Sequence, residues 1–146
     1  MLNSDYREML SVLLENSVNF LVVGAYAMGA HGFVRATGDI DIFVKPDKNN
    51  AQRVYAALEK FGAPMENVSS GDFEHPGTIF QIGVAPRRID IITEIDGLTY
   101  EQAAQDKAQF DIEGLSVPVI SKKNLIINKR ASGREKDRLD AEALSR

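Results

Sequence analysis

An apolar run that stops at a glycine and is followed, fifteen residues later, by Asp-Ile-Asp-Ile constrains this chain more than any other feature. The run is Phe20-Leu-Val-Val-Gly24, and the second segment is Asp39-Ile-Asp-Ile-Phe-Val44. On a strand, residues two apart share a face and lie roughly 6.5–7 Å apart along the chain. Asp39 and Asp41 are therefore neighbours on one face of a β-branched, aromatic segment in which Asp is depleted. Like charges so placed at the edge of an apolar core repel each other and resist desolvation unless a cation lies between them. The same letters also describe an ordinary half-exposed strand, with Ile40, Ile42 and Val44 inward and both acids in water.

Composition narrows the choice of cation. The chain has no cysteine and only His31 and His75, which excludes thiolate sites and disfavours a histidine-built zinc site. Oxygen ligands remain, and they suit Mg2+ or Mn2+. A net charge of -4 argues against broad nucleic-acid affinity, which rests on phosphate neutralisation, but leaves room for a nucleotide. The 146 residues, 44% hydrophobic and 26% charged, are expected to form one domain over 1–146 with a helical C-terminal element at about 121–146. No apolar run approaches the roughly 20 residues of a bilayer span, and the first residues lack the basic and apolar regions of a signal peptide. The expectation is a cytoplasmic protein with no membrane partner.

Local patterns predict the remaining elements. Asn3 or Ser4 caps a helix to about Asn16 with Met9, Leu10, Leu13 and Leu14 as its stripe. Asn19 to Val23 is a strand, Ala25 to His31 a short helix capped by His31, and Asp39 to Lys45 a second strand. Asp47 caps a helix to Phe61, with Val54, Tyr55, Leu58 and Phe61 on one face. Residues 69–76, His75 among them, read as a polar loop, and Thr78 to Val84 with Arg88 to Thr93 as a hairpin around Ala85-Pro86-Arg87. A helix is expected from about Thr99 to Gln109, then a short apolar stretch from Val117 to Ile120. Ser121 caps a last helical region to Leu144, broken near Gly133. The fold class is α+β, a small mixed sheet packed by helices.

A third acid stands in Arg87-Arg88-Ile89-Asp90-Ile91-Ile92. If this strand lies beside the Asp39 to Lys45 strand, Asp90 faces the same side as the pair. Three convergent carboxylates suit two-metal phosphoryl transfer, with Asp90 as ligand and general base for an incoming hydroxyl. The other reading of Asp90 is a strand-edge acid paired with Arg87 or Arg88. Gly24, between a strand and a short helix, lets backbone N–H groups approach a phosphate, although glycine ends many strands for steric reasons alone.

Val23-Gly24-Ala25, Asp39-Ile40-Asp41-Ile42 and Ile89-Asp90-Ile91 resemble the signature of the nucleotidyltransferase superfamily of the DNA polymerase β type. The fuller run from Gly24 through Gly32, Arg35 and Thr37 to Asp41 is similar to the minimal nucleotidyltransferases and AbiEii-type toxins. The resemblance spans roughly residues 18–140 and is most specific over 24–44. It implies a polymerase β palm-like fold, with Asp39, Asp41 and Asp90 holding the metals and acting in catalysis. It also implies that Gly24 and the amide of Ala25 meet the β- and γ-phosphates. Ala25 stands where many relatives carry Ser, so the contact there is a backbone one.

Arg35 and Thr37, just before the metal strand, are candidates to clamp phosphate; their other reading is a salt bridge and a turn hydroxyl. Lys129, Arg134 and Asp137 resemble a terminal element of the relatives, through which Lys129 would reach the triphosphate. Arg134, Asp137 and Asp140 share a helix face, which a solvated charge run would also show.

The function these residues imply is Mg2+-dependent transfer of a nucleoside monophosphate from an NTP to a hydroxyl, with release of pyrophosphate. Little chain remains for an acceptor pocket, so the expected acceptor is a protein or tRNA, or is presented by a homodimer or partner subunit. The alternatives are a catalytically silent binding module or toxin–antitoxin component, and a phosphohydrolase using the same acids. The leading reading requires the acids at 39, 41 and 90 to meet at one mouth that no lysine or arginine of the chain fills.

Overall fold

The computed structural model describes residues 2–33, 38–84 and 86–146. Its first helix, α1 (Ser4–Glu15), is capped by Asn3, whose side chain accepts from the amide of Asp5 at 2.8 Å. Tyr6, Met9, Leu10, Val12 and Leu13 bury its inner face. Strand β1 (Phe20–Val23) then enters the core with every side chain buried, as expected of a central strand covered on both faces. Helix α2 (Gly24–Ala30) follows without a linker and ends at His31, whose Nε2 lies 2.8 Å from the carbonyl of Ile120.

Strand β2 (Asp39–Val44) runs antiparallel to β1, and helix α3 (Lys48–Phe61) packs back across α1. Asp47 caps α3 by accepting from the amide of Asn50. Gly62 closes it in the left-handed region at φ 90°. The inner face of α3 is Asn50, Ala51, Val54, Ala57 and Leu58, with Tyr55 and Phe61 half-buried at its margin.

Asn50 is fully buried and fully employed. Its Nδ2 donates to the carbonyls of Asn19 and Lys45 at 3.0 and 2.9 Å, and its Oδ1 accepts from the amide of Asn19 at 2.8 Å. One side chain thus ties together the start of β1, the end of β2 and α3. Asn50→Ala strands these backbone groups and is expected to cost roughly 2–3 kcal/mol, read from the midpoint of urea unfolding at unchanged slope.

The polar loop contains a single 3-10 turn (Ser70–Phe73) whose Phe73 is fully buried against Phe80. Strands β3 (Ile79–Ile82) and β4 (Arg88–Ile92) form the expected hairpin, and β4 lies parallel to β2. The helix expected from Thr99 to Gln109 is corrected. Helix α4 covers only Tyr100–Ala104, behind a reciprocal cap between Thr99 and Gln102, and Ala108–Ile112 is strand β5. That strand pairs with β6 (Leu115–Val119) across Glu113 and Gly114, at φ 49° and 88°. Two successive positive φ values make the tight turn whose twist matches a hairpin. The helical preference of Glu-Gln-Ala-Ala-Gln persists for little more than one turn, after which strand pairing prevails.

Among the described residues the sheet has six strands in the order β3-β4-β2-β1-β6-β5, mixed in direction. Helices α5 (Lys122–Ala131) and α6 (Glu135–Ser145) follow, separated at Ser132-Gly133-Arg134. Ser121 caps α5 through the amide of Asn124. Among the described residues no helix is long and apolar enough to cross a membrane.

Candidate active site

Register brings the three acids together. In the parallel pair β2 and β4, Asp39 stands opposite Arg88 and Asp41 opposite Asp90. Opposed residues point to the same side of a sheet. The alternate residues Ile40, Ile42, Ile89 and Ile91 are at most 2% exposed on the other side. Burial of those four isoleucines is what turns four charged side chains toward one face, since a slip of one residue would exchange the two sets.

Gly24 closes the other side of this face. β1 ends with Val23 opposite Asp41, so Gly24 follows directly beside that carboxylate. Its φ is +70°, and a β-carbon there would lie 2.4 Å from Asp41 Oδ2. Glycine is required here twice over, by conformation and by space.

Tyr6 fastens the entrance from below. Its hydroxyl is within hydrogen-bonding distance of the carbonyls of Gly38 and Arg88, at 2.5 and 3.2 Å, so α1 holds the first residues of β2 and β4 side by side. The amide of Arg88 donates to the same Gly38 carbonyl at 3.1 Å. Burial, then the neighbouring Tyr26, Asp39 and Asp90, push the Tyr6 phenol up to about 12, so it stays a donor.

The mouth is not empty of the chain's own cations, and that expectation is overturned. Arg88 Nη2 donates to Asp39 Oδ2 at 2.8 Å, and its Nε donates to Asp90 Oδ1 at 2.9 Å. Arg88 lies two residues from Asp90 on one strand and opposite Asp39 on the next, so it has no other side to face. The reading of Asp90 as an acid paired with Arg88 is therefore correct as geometry, alongside its place on the common face.

Asp41 carries the strain of the cluster. Burial raises its pKa to about 7, aided by the charge of Asp90 and a hydrogen bond with it, and by Asp39, against the opposing pull of Arg88. Asp41 therefore stays protonated into the neutral range, hydrogen-bonded to Asp90. The folded protein holds this proton between about pH 4 and 7 while an unfolded chain does not, so the stabilisation is complete below pH 4 and fades as pH rises through 7. In EDTA the melting temperature is expected to fall over that window, on the order of 10 °C, and the slope to flatten in Asp41→Asn.

The acids open into a cavity of about 660 Å3, with Gly24, Ala25, Asp39, Asp41, Arg88 and Asp90 on one wall. Ile79, Gln81, Ile92 and Glu94 continue that wall, and Lys129, Arg134, Lys136, Asp137 and Asp140 of the C-terminal helices also line the cavity. Lys129 is 8% exposed, and its ammonium donates to Asp137 Oδ1 at 3.1 Å and Asp140 Oδ2 at 3.2 Å. Asp137 Oδ2 accepts from Ser132 and from Arg134 Nε, at 2.7 and 2.9 Å. Burial pushes the Asp137 carboxyl up, but the Ser132 and Lys129 bonds outweigh it and hold it below the usual range. Arg35 and Thr37 lie outside the described residues.

Among the described residues no three acids or histidines are set to hold a metal ion as they stand. The donor chemistry nevertheless fits a hard divalent cation: oxygen ligands alone, on one face, one of them, Asp41, holding a proton that a cation would replace. The condition is that Arg88 gives up Asp39. Sequence reading missed Tyr6 altogether and left Arg88 as one alternative, although the i, i+2 relation of Arg88 to Asp90 was open to the parity argument used for Asp39 and Asp41.

Solved structures that share this fold include nucleotidyltransferases. A presumed nucleotidyltransferase from Thermotoga maritima superposes with a TM-score of 0.62 at 17% identity, over 99% of this chain and 93% of its own. The lincosamide antibiotic adenylyltransferase LnuA, in its lincomycin-bound crystal structure, gives 0.59 at 15% identity over 99% and 97%. The antibiotic-resistance factor ANT(2'')-Ia gives 0.60 at 16% over 97% and 80%. At these identities the likeness shows the fold alone. Over residues 2–146 the chain matches, and so belongs to, the family described as "Nucleotidyl transferase of unknown function" (DUF2204). That description does not mention toxins. No curated protein matches the sequence significantly.

Proposed function

We propose that the chain moves a nucleoside monophosphate from an NTP to a hydroxyl acceptor and releases pyrophosphate, with Asp39, Asp41 and Asp90 holding Mg2+ or Mn2+. The observation that carries this reading is the register of β2 and β4, which sets the acids on one face beside Gly24, at a cavity also lined by Arg134 and Lys136. A divalent cation bound there supplies Lewis-acid stabilisation of the triphosphate and eases ionisation of the hydroxyl.

The protein's own groups do the rest. The missing β-carbon of Gly24 lets the chain approach the phosphates, and the Ala25 amide adds a donor without a Ser hydroxyl. Asp90, buried and oriented by Arg88, accepts the proton of the attacking hydroxyl. Arg134 and Lys136 supply positive charge to the cavity. Lys129 contributes only by releasing Asp137, whose second oxygen stays with Ser132 and Arg134. Arg35 and Thr37 keep their place as phosphate candidates from the sequence alone.

LnuA, matched over 97% of its length, was crystallised with lincomycin, which supports a small-molecule acceptor. A protein, a tRNA end or a partner-presented acceptor stands beside it. NTPs are plentiful in the cytoplasm, where we place the activity.

The test is incubation with each NTP labelled at the α- or γ-phosphate, with Mg2+, against a cell lysate and a panel of small hydroxylated compounds. Transfer of the α-label with pyrophosphate release, lost in Asp41→Asn, is the expected result. Orthophosphate in its place makes the protein a phosphohydrolase. The Arg88 bridge favours a second reading, a silent binding module, which predicts no metal-dependent NTP binding by calorimetry.

A further inference from the structure

Strand alternation and register leave Arg88 no position except across the acids. Its Nη2 reaches Asp39 Oδ2 at 2.8 Å and Asp90 Oδ2 at 3.3 Å, while Nε holds Asp90 Oδ1 at 2.9 Å. The two ends of this bridge differ. The side chain of Asp39 is 33% exposed and that of Asp90 10%, so Arg88 grips a buried partner with two nitrogens and a half-exposed one with a single nitrogen. Exposed ion pairs are weak, whereas two-pronged contacts to a buried carboxylate are strong and directional. The backbone at both ends is fastened by the Tyr6 hydroxyl on Gly38 and Arg88, so the side chain can turn without moving the strands.

Resting on the nucleotidyltransferase reading above, we propose that Arg88 is a positioning residue with two settings. Without metal it spans Asp39 and Asp90 and neutralises them. When a divalent cation binds, Arg88 releases Asp39 to it, keeps Asp90 oriented, and turns the freed edge of its guanidinium into the cavity it already lines. The released edge needs an anionic partner, which the triphosphate provides. Metal and nucleotide therefore bind cooperatively, and metal alone binds more weakly because the guanidinium edge it displaces exchanges an ion pair for water. At Arg88 the change is an exchange of ion pairs, and the proton held by Asp41 passes to solvent as the cation takes its place.

The test is calorimetric titration of Mn2+ into the whole chain, with and without a non-hydrolysable NTP analogue, for wild type, Arg88→Gln and Arg88→Lys. In wild type the analogue is expected to tighten Mn2+ binding by about 5–150-fold, the usual span of such coupling. Arg88→Gln is expected to bind Mn2+ alone more tightly than wild type by a similar factor and to show little further gain with the analogue. Arg88→Lys, which keeps the charge but not the fork, is expected to fall between them, and it carries the test if the glutamine variant does not fold. Equal or weaker binding of Mn2+ alone by folded variants overturns the role of Arg88. Failure of wild type to bind Mn2+ even with the analogue overturns the nucleotidyltransferase reading itself, and the inference with it.

Discussion

Asp41→Asn is expected to abolish the proposed nucleotidyl transfer, by roughly 10³-fold or more, and to leave the metal-free fold as stable as before or more so. The two halves of this result have one cause. Asp41 is the carboxylate that burial and the charge of Asp90 push up to about 7, so at pH 8 the metal-free protein holds it ionised against both. An amide of the same shape removes that repulsion and also removes one of the proposed anionic ligands. The gain in melting temperature is therefore expected at pH 8 in EDTA and is expected to shrink at pH 5, where Asp41 is already protonated. Asp39→Asn is expected to lose transfer to a similar degree. Because Asp39 is held by Arg88 in the metal-free state, no stabilisation is expected from its removal. Pyrophosphate release that persisted in both variants would sink the metal assignment.

Lys129→Met is expected to destabilise the protein by about 3–5 kcal/mol, the largest stability effect foreseen here. The ammonium, Asp137 and Asp140 are buried together, with side-chain exposures of 10%, 10% and 2%. Methionine keeps the apolar stem but leaves two buried carboxylates without their common cation. Asp137 retains Ser132 and Arg134. Equilibrium urea unfolding gives the size, and the triple variant with Asp137→Asn and Asp140→Asn is expected to recover much of it. If the cost of Lys129→Met were below about 1 kcal/mol, the pair would be a surface contact and not a staple between α5 and α6.

Much of the fold was legible because its signals are local. Caps at Asn3, Asp47 and Ser121, the left-handed glycine at 62 and the alternation of Ile and Asp in β2 and β4 act over a few residues. The exception is instructive. The segment 108–112 has a helix-compatible lead-in, and its strand state depends on pairing with Leu115–Val119 across a turn whose first residue, Glu113, is not one that such turns favour. A strand's partner supplies its hydrogen bonds, and a partner is not a local property.

The site divides the same way. Spacing alone determined that Asp39 and Asp41 share a face, that Asp90 sits on an apolar strand, and that Gly24 interrupts the chain between a strand and a helix. Only the tertiary structure decided that β4 lies parallel to β2 with Asp90 opposite Asp41, that Gly24 stands where no β-carbon fits beside that carboxylate, and that Arg88 bridges Asp39 and Asp90. The reason is physical. Parity along a strand follows from backbone geometry within one segment, whereas the meeting of charges from three segments depends on a register set by buried isoleucines on the opposite side of the sheet.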